Sequence, residues 1–115
     1  YPWGDTFEAT RCNTRELGLR DTTPVGIFLN GASPYGALDM SGNVWEWTRS
    51  IHKPYPYRPA DGREELKSDA SRVLRGGSWN GFQDGARCAF RSDFDPGGRF
   101  DYLGFRCCLS PGSRR

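Results

Sequence analysis

Histidine and methionine each occur once in this chain, and lysine only at Lys53 and Lys67 against 14 arginines. With a single imidazole, His52, and four cysteines that never stand in a Cys-x-x-Cys spacing, no ordinary zinc set can be assembled. No apolar run approaches bilayer length, so no membrane insertion is expected. Charge of one sign is also scarce: the net charge is +2, and no basic cluster occurs apart from Arg114 and Arg115. That distribution gives no footprint for nucleic acid. Hydrophobic residues make up only 36%, and 15 Gly with 8 Pro interrupt the chain too often for long helices.

What is present is aromatic. Four Trp, five Tyr and seven Phe offset the shortage of aliphatic side chains, because each buries a large area. The expectation is an aromatic core wrapped in short strands and irregular backbone, sized for one small domain over residues 1–115. Residues 1–36 read as loop, with a brief strand at Val25–Leu29. Val44–Thr48 reads as a strand with Trp45 and Trp47 on one face. Residues 52–70, rich in Pro and charge, read as an exposed excursion that leaves His52 in solvent. Arg72–Trp79 reads as a strand into a Gly76–Gly77 bend, Ala86–Arg91 as a short strand, and Ser92–Tyr102 as a polar loop. Leu103–Leu109 reads as a final buried strand, and Ser110–Arg115 as a loose tail. The expected core is Trp45, Trp47, Val73, Leu74, Trp79, Leu103 and Phe105. Cys12, Cys88, Cys107 and Cys108 are compatible with disulfides or with free thiols.

Several blocks occur in a specific order: Tyr1-Pro2-Trp3-Gly4-Asp5, Thr23-Pro24-Val25-Gly26, Ser33-Pro34-Tyr35-Gly36 and Asp39-Met40-Ser41-Gly42-Asn43-Val44-Trp45-Glu46-Trp47. Arg72-Val73-Leu74-Arg75-Gly76-Gly77-Ser78-Trp79, Arg87-Cys88-Ala89-Phe90-Arg91 and Leu103-Gly104-Phe105-Arg106-Cys107 follow. The series resembles the latter half of the formylglycine-generating-enzyme (sulfatase-modifying factor) family. That resemblance implies an α+β, C-type-lectin-like fold with short strands and long irregular loops. It also implies that this chain is the C-terminal portion of a larger lectin-like domain, with the upstream half of the same domain as a partner.

The resemblance carries implications about cofactors and chemistry. Asp39 and Glu46 side chains with the Gly42 and Val44 carbonyls match a structural calcium set, a plausible group of hard oxygens around a turn. On the residues alone, Asp39 can instead cap its turn while Glu46 pairs with an arginine. Family oxidation of a substrate cysteine uses a copper-loading cysteine pair located between the Gly-Gly-Ser bend and the Arg-Cys-Ala block. Here that interval, Asn80–Arg87, has no cysteine, so no copper is expected and no catalytic residue is assigned. The family matches of Cys88 and Cys107 form disulfides with partners that lie upstream of residue 1. The lone histidine also leaves no iron triad of the kind found in related sulfoxide synthases.

A narrower resemblance covers Arg72–Arg106, which looks like the variable region of a diversity-generating-retroelement variable protein. In that subgroup, adenine-specific mutagenesis rewrites Asn codons into Phe, Tyr, Ser, Gly or Asp, but not Lys, Glu, Gln, Met or Trp. Asn80–Arg106 lacks Lys, Glu, Met and Trp, and its single Gln83 fits a fixed position. Candidate ligand-binding positions within residues 80–106 are Gly81, Phe82, Asp84, Gly85, Phe90, Ser92, Asp93, Phe94, Gly98, Phe100, Asp101 and Tyr102. Rigid aromatics beside Ser, Gly and Asp are the mixture found in antibody loops. The expected function is a non-catalytic module binding a protein or other macromolecular ligand. The alternatives are a formylglycine-generating-type oxidoreductase, or an inactive family domain with a fixed structural or binding role.

Overall fold

The computed structural model describes residues 1–112, so the expected loose tail lies, from Ser113 on, outside the described residues. Four strands form one sheet: β1 (Trp45–Ile51), β2 (Arg72–Arg75), β3 (Ser92–Phe94) and β4 (Leu103–Gly104), in the order β3-β2-β1-β4. The helical content among the described residues is four short 3-10 turns, at Ala9–Arg11, Arg15–Leu17, Leu29–Gly31 and Gln83–Ala86. No helix among them is long and apolar enough to cross a membrane.

Aromatic and β-branched residues build β1, which pairs antiparallel with β2 (Glu46 opposite Arg75, Trp47 opposite Leu74). The register slips between Trp47 and Ile51, and there Thr48 Oγ1 donates to the Val73 carbonyl at 2.9 Å. On its other side β1 runs parallel to β4 (Trp45 opposite Leu103), while β3 pairs antiparallel with β2.

Three expected strands change. Val25–Leu29 forms none: Val25 is exposed, and the Gly26 N–H, lacking a ladder partner, donates to Asp39 Oδ2 at 2.7 Å. Ala86–Arg91 is a turn because Arg75 Nη1 takes the Cys88 and Phe90 carbonyls, and the strand starts instead at Ser92. The final strand stops after Gly104. Phe105 beyond it is 75% exposed and forms no part of the core.

The aromatic core is also corrected. Val73, Leu74 and Ile51 are buried, but Trp45, Trp47, Trp79 and Leu103 are only half-buried. The most enclosed side chains are small and largely polar: Cys12, Asn13, Thr14 and Ser78. They meet the Ser41–Asn43 turn through a hydrogen-bonded hub. The Asn43 N–H donates to the Asn13 carbonyl (2.8 Å), the Trp79 N–H to the Asn43 carbonyl (2.8 Å), and Ser41 Oγ to the Ala86 carbonyl (2.6 Å). Asn43 also brackets Thr23, accepting its N–H at 3.0 Å and donating to its carbonyl at 3.2 Å. Asn13 Nδ2 donates to the Asp21 carbonyl and Thr23 Oγ1, which fixes that amide and leaves its Oδ1 buried without a partner. Gly42 has φ +79°, and a Cβ there would lie 2.5 Å from the Asn13 carbonyl oxygen, so only glycine lets the two backbones meet.

The 52–70 excursion is mostly exposed, as expected, with His52 in solvent, but two buried arginines pin it. Arg72 donates to the carbonyls of Arg49, Glu65, Leu66 and Ser68. Arg63, 2% exposed, grips the Asp61 carboxylate with Nε and Nη2, which holds that carboxyl down at about 2.

Candidate functional site

β3 and β4 bring the middle and the C-terminal end of the candidate region onto the sheet. Phe94 is the last residue of β3, and Phe100 and Tyr102 lead into β4. Phe94 and Phe100 meet edge to face with ring centroids 5.1 Å apart, and Phe100 stacks on Tyr102 at 5.2 Å. Phe94 and Phe100 are exposed, while Tyr102 is half-buried. These three rings therefore form one continuous aromatic surface, in geometries that favour mutual contact. The exposed Asp101 lies between two of them in sequence, and its carbonyl accepts the Trp79 indole N–H at 3.4 Å.

The other candidate positions divide. Phe82 is exposed but joins none of these rings; instead the Arg15 guanidinium lies 4.9 Å from its ring centroid. Phe90 is half-buried against Trp45 at 5.9 Å and serves the sheet as much as the surface. Asp84 and Asp93 are exposed, and His52 Nε2 lies 4.0 Å from Asp93. Gly81, Gly85 and Ser92 are half-buried; a Cβ on Gly81 would touch Ser78 only at ordinary contact distance, 3.6 Å. Gly98 is tighter. A Cβ there would lie 2.7 Å from Phe94 Cε1 and nearer still to Cδ1, so replacement at Gly98 requires the Phe94 ring to move.

One support for this region was not legible in the sequence. The Arg15 N–H donates to the Gly81 carbonyl at 2.9 Å, and Glu16 Oε1 accepts the Gln83 N–H at 2.7 Å. Arg15 and Arg20 then line a pocket of about 300 Å³ with Trp79 and Asn80. A contact between segments so distant in the chain leaves no periodic or motif signal.

At the Asp39–Glu46 block, Asp39, Val44 and Glu46 line one pocket of about 500 Å³ together with Phe105 and Arg106. Oxygen is plentiful, but a cation already sits among it. Arg106 forks onto Glu46 (Nη2 to Oε1, 2.5 Å; Nε to Oε2, 2.7 Å) and donates to the Leu38 and Asp39 carbonyls. The donor chemistry suits calcium, and Arg106 is its competitor. The Glu46 carboxylate raises the Arg106 pKa further.

All four cysteines are free thiols. Cys88, Cys107 and Cys108 are exposed; Cys12 is enclosed, and burial pushes its pKa up to about 11. A thiol so shifted is unreactive as a nucleophile near neutral pH. Among the described residues no three His, Cys, Asp or Glu side chains gather into a metal-binding group.

The profile of the sulfatase-modifying factor enzyme 1-like domain matches residues 1–111. An inactive C-alpha-formylglycine-generating enzyme 2 from Mus musculus is 35% identical, over 97% of this chain and 37% of its own length. A hercynine oxygenase from Mycolicibacterium thermoresistibile is 40% identical, over 92% of this chain and 26% of its own. Among solved structures, Treponema denticola variable protein 1 superposes with a TM-score of 0.69 at 29% identity, over 89% of this chain and 38% of that one. This chain thus spans well under half the length of each. Its small sheet with few helices is shared with structures of the formylglycine-generating, C-type-lectin-like type.

Proposed function

Because the chain belongs to the sulfatase-modifying factor enzyme 1-like family, we propose that it acts as a non-catalytic binding module whose 80–106 region is diversified to recognise a protein ligand. The observation that carries this reading is the Phe94–Phe100–Tyr102 surface. Three rings joined through Phe100, two of them exposed and adjoined in sequence by Asp93 and Asp101, supply rigid apolar area with adaptable polar neighbours. The strands that carry them are held by backbone pairing, β3 to β2 and β4 to β1, which the rings do not make. Similarity to a variable protein and to an inactive enzyme supports the same reading.

The deciding test is in the DNA. A near-copy of the segment encoding Asn80–Arg106, beside a reverse-transcriptase gene and differing from it at adenines, is expected. Differences scattered over all four bases, or no such copy in the source genome, would reject diversification.

Two further parts belong to this proposal. The exposed apolar side chains at Val25, Leu29, Tyr35 and Phe105 are the seat of the upstream part of the family domain. Calcium binds at the Asp39–Glu46 block, with the Asp39 and Glu46 side chains and the Gly42 and Val44 carbonyls as ligands. Calcium binding only the folded state then raises the melting temperature in step with the logarithm of its concentration above Kd, with about 3 kcal/mol of stabilisation at a hundredfold excess over Kd. An unchanged melting temperature in calcium and in chelator would assign the block to the Arg106–Glu46 pair alone.

A further inference from the structure

A separate pocket of about 230 Å³ opens between β1, β2 and the 52–63 excursion. Its apolar floor is Ile51 and Val73, both buried. Three arginines (Arg63, Arg75, Arg91) and two tyrosines (Tyr55, Tyr57) line the rest with Thr48 and Ser50. The charges do not balance. Arg63 is neutralised by Asp61 at 2.7 Å. Glu64, which accepts from Ser50 Oγ and Tyr57 Oη beside the pocket, is neutralised by Arg49 at 3.1 Å. Among the described residues, neither Arg75 nor Arg91 forms a salt bridge.

Both residues are half-buried, and their uncompensated guanidinium groups are held in place. Arg75 Nη1 is fixed by the Cys88 and Phe90 carbonyls, and its Nη2 donates to Tyr55 Oη at 3.2 Å. Arg91 lies 4.0 Å from the Tyr55 ring centroid, and its Nη1 donates to the Lys53 carbonyl at 2.9 Å. One tyrosine thus joins both cations, and Arg91 keeps N–H groups that no protein acceptor takes. Holding two positive charges together, partly out of water and without an anion, is unfavourable. A multidentate oxyanion would relieve that repulsion and gain charge-assisted hydrogen bonds from an already ordered fork.

We propose that this pocket binds a phosphate- or sulfate-type oxyanion between Arg75 and Arg91, with Tyr55 and Tyr57 flanking the group that carries it. The site is separate from the aromatic binding surface and uses no side chain of the candidate variable residues; Phe90 contributes only its carbonyl, to Arg75.

The test is calorimetric titration of the whole chain at constant ionic strength with inorganic phosphate, inorganic sulfate and phenyl phosphate, with chloride as control. Saturable one-site binding is expected, weakened at least roughly tenfold by Arg91→Gln. Tyr55→Phe, which removes only the hydroxyl that orients Arg75, weakens it less. Phe100→Ser leaves it unchanged, which separates this site from the proposed ligand surface. Tighter binding of phenyl phosphate than of the free ions identifies an ester as the ligand, and the reverse order identifies a free anion. No saturable binding of any of the three by the unmodified chain overturns the proposal. So does equal binding by Arg91→Gln or, should that variant fail to fold, equal binding by Tyr55→Phe.

Discussion

Around Asn13 and Asn43 the chain encloses amides, hydroxyls and backbone, whereas around Phe100 it places aromatic rings in water. The two regions invert the usual distribution of polar and apolar groups. In the hub nearly every polar atom has a named partner, so its geometry is set by direction as well as contact. On the aromatic surface the rings mainly touch one another. A hydrogen-bonded hub cannot tolerate replacement, because each change leaves a buried partner unsatisfied. Exposed rings can be exchanged at small structural cost. Under the proposed diversification, that difference lets a loop-rich chain keep its scaffold constant while its surface changes.

Substitutions in the two regions should separate by several kcal/mol. Gly42→Ala is expected to be the most damaging, because its Cβ would meet the Asn13 backbone at a positive φ that alanine resists. A loss above about 4 kcal/mol, or no folded protein at all, is expected from denaturant unfolding; a near-native midpoint would mean that the hub is loosely packed. Asn43→Ala comes next. It orphans the Thr23 N–H and places alanine at φ 70°, for an expected loss of about 2–3 kcal/mol by the same measurement. Phe100→Ser should cost about 1 kcal/mol or less, since the ring is 45% exposed and loses chiefly its two ring contacts. Its effect on ligand affinity should be much larger, as central aromatics tend to dominate interfaces. The reverse ranking, with stability lost and affinity kept, would move Phe100 to the scaffold side of the comparison. Phe105→Ala should be smallest, within about 0.5 kcal/mol in this chain. In a longer chain carrying the upstream part of the domain, the same change is expected to cost about 3 kcal/mol or more.

Order and family were written in the sequence. The Asp39–Trp47 and Arg72–Trp79 blocks are continuous, and both contribute strands where alternation and the Gly76–Gly77 bend indicate them. The aromatic identities at Phe94, Phe100 and Tyr102 were also legible as a recognition mixture. Sequence reasoning also groups them on one exposed face but adds Phe82, which stands apart because the turn at Gln83–Ala86 and the Arg15 guanidinium hold it elsewhere. Phe105 misled for a related reason. An apolar residue in a strand-like run reads as core, but no described part of the chain packs over it.

Composition and motif order by themselves determined a short-stranded, glycine-broken chain of one recognisable family, with no cysteine between Asn80 and Arg87. Those properties are local: they reside in residue types and in spacings of a few positions. Only the tertiary structure decided that Asn13, Asn43 and Ser78 form the enclosed centre, that Arg106 occupies the oxygen cluster at Glu46, and that Arg75 and Arg91 share one tyrosine. Each depends on which distant polar groups meet out of water. Hydrogen-bond geometry and desolvation fix that meeting, and neither leaves a periodic trace along the chain.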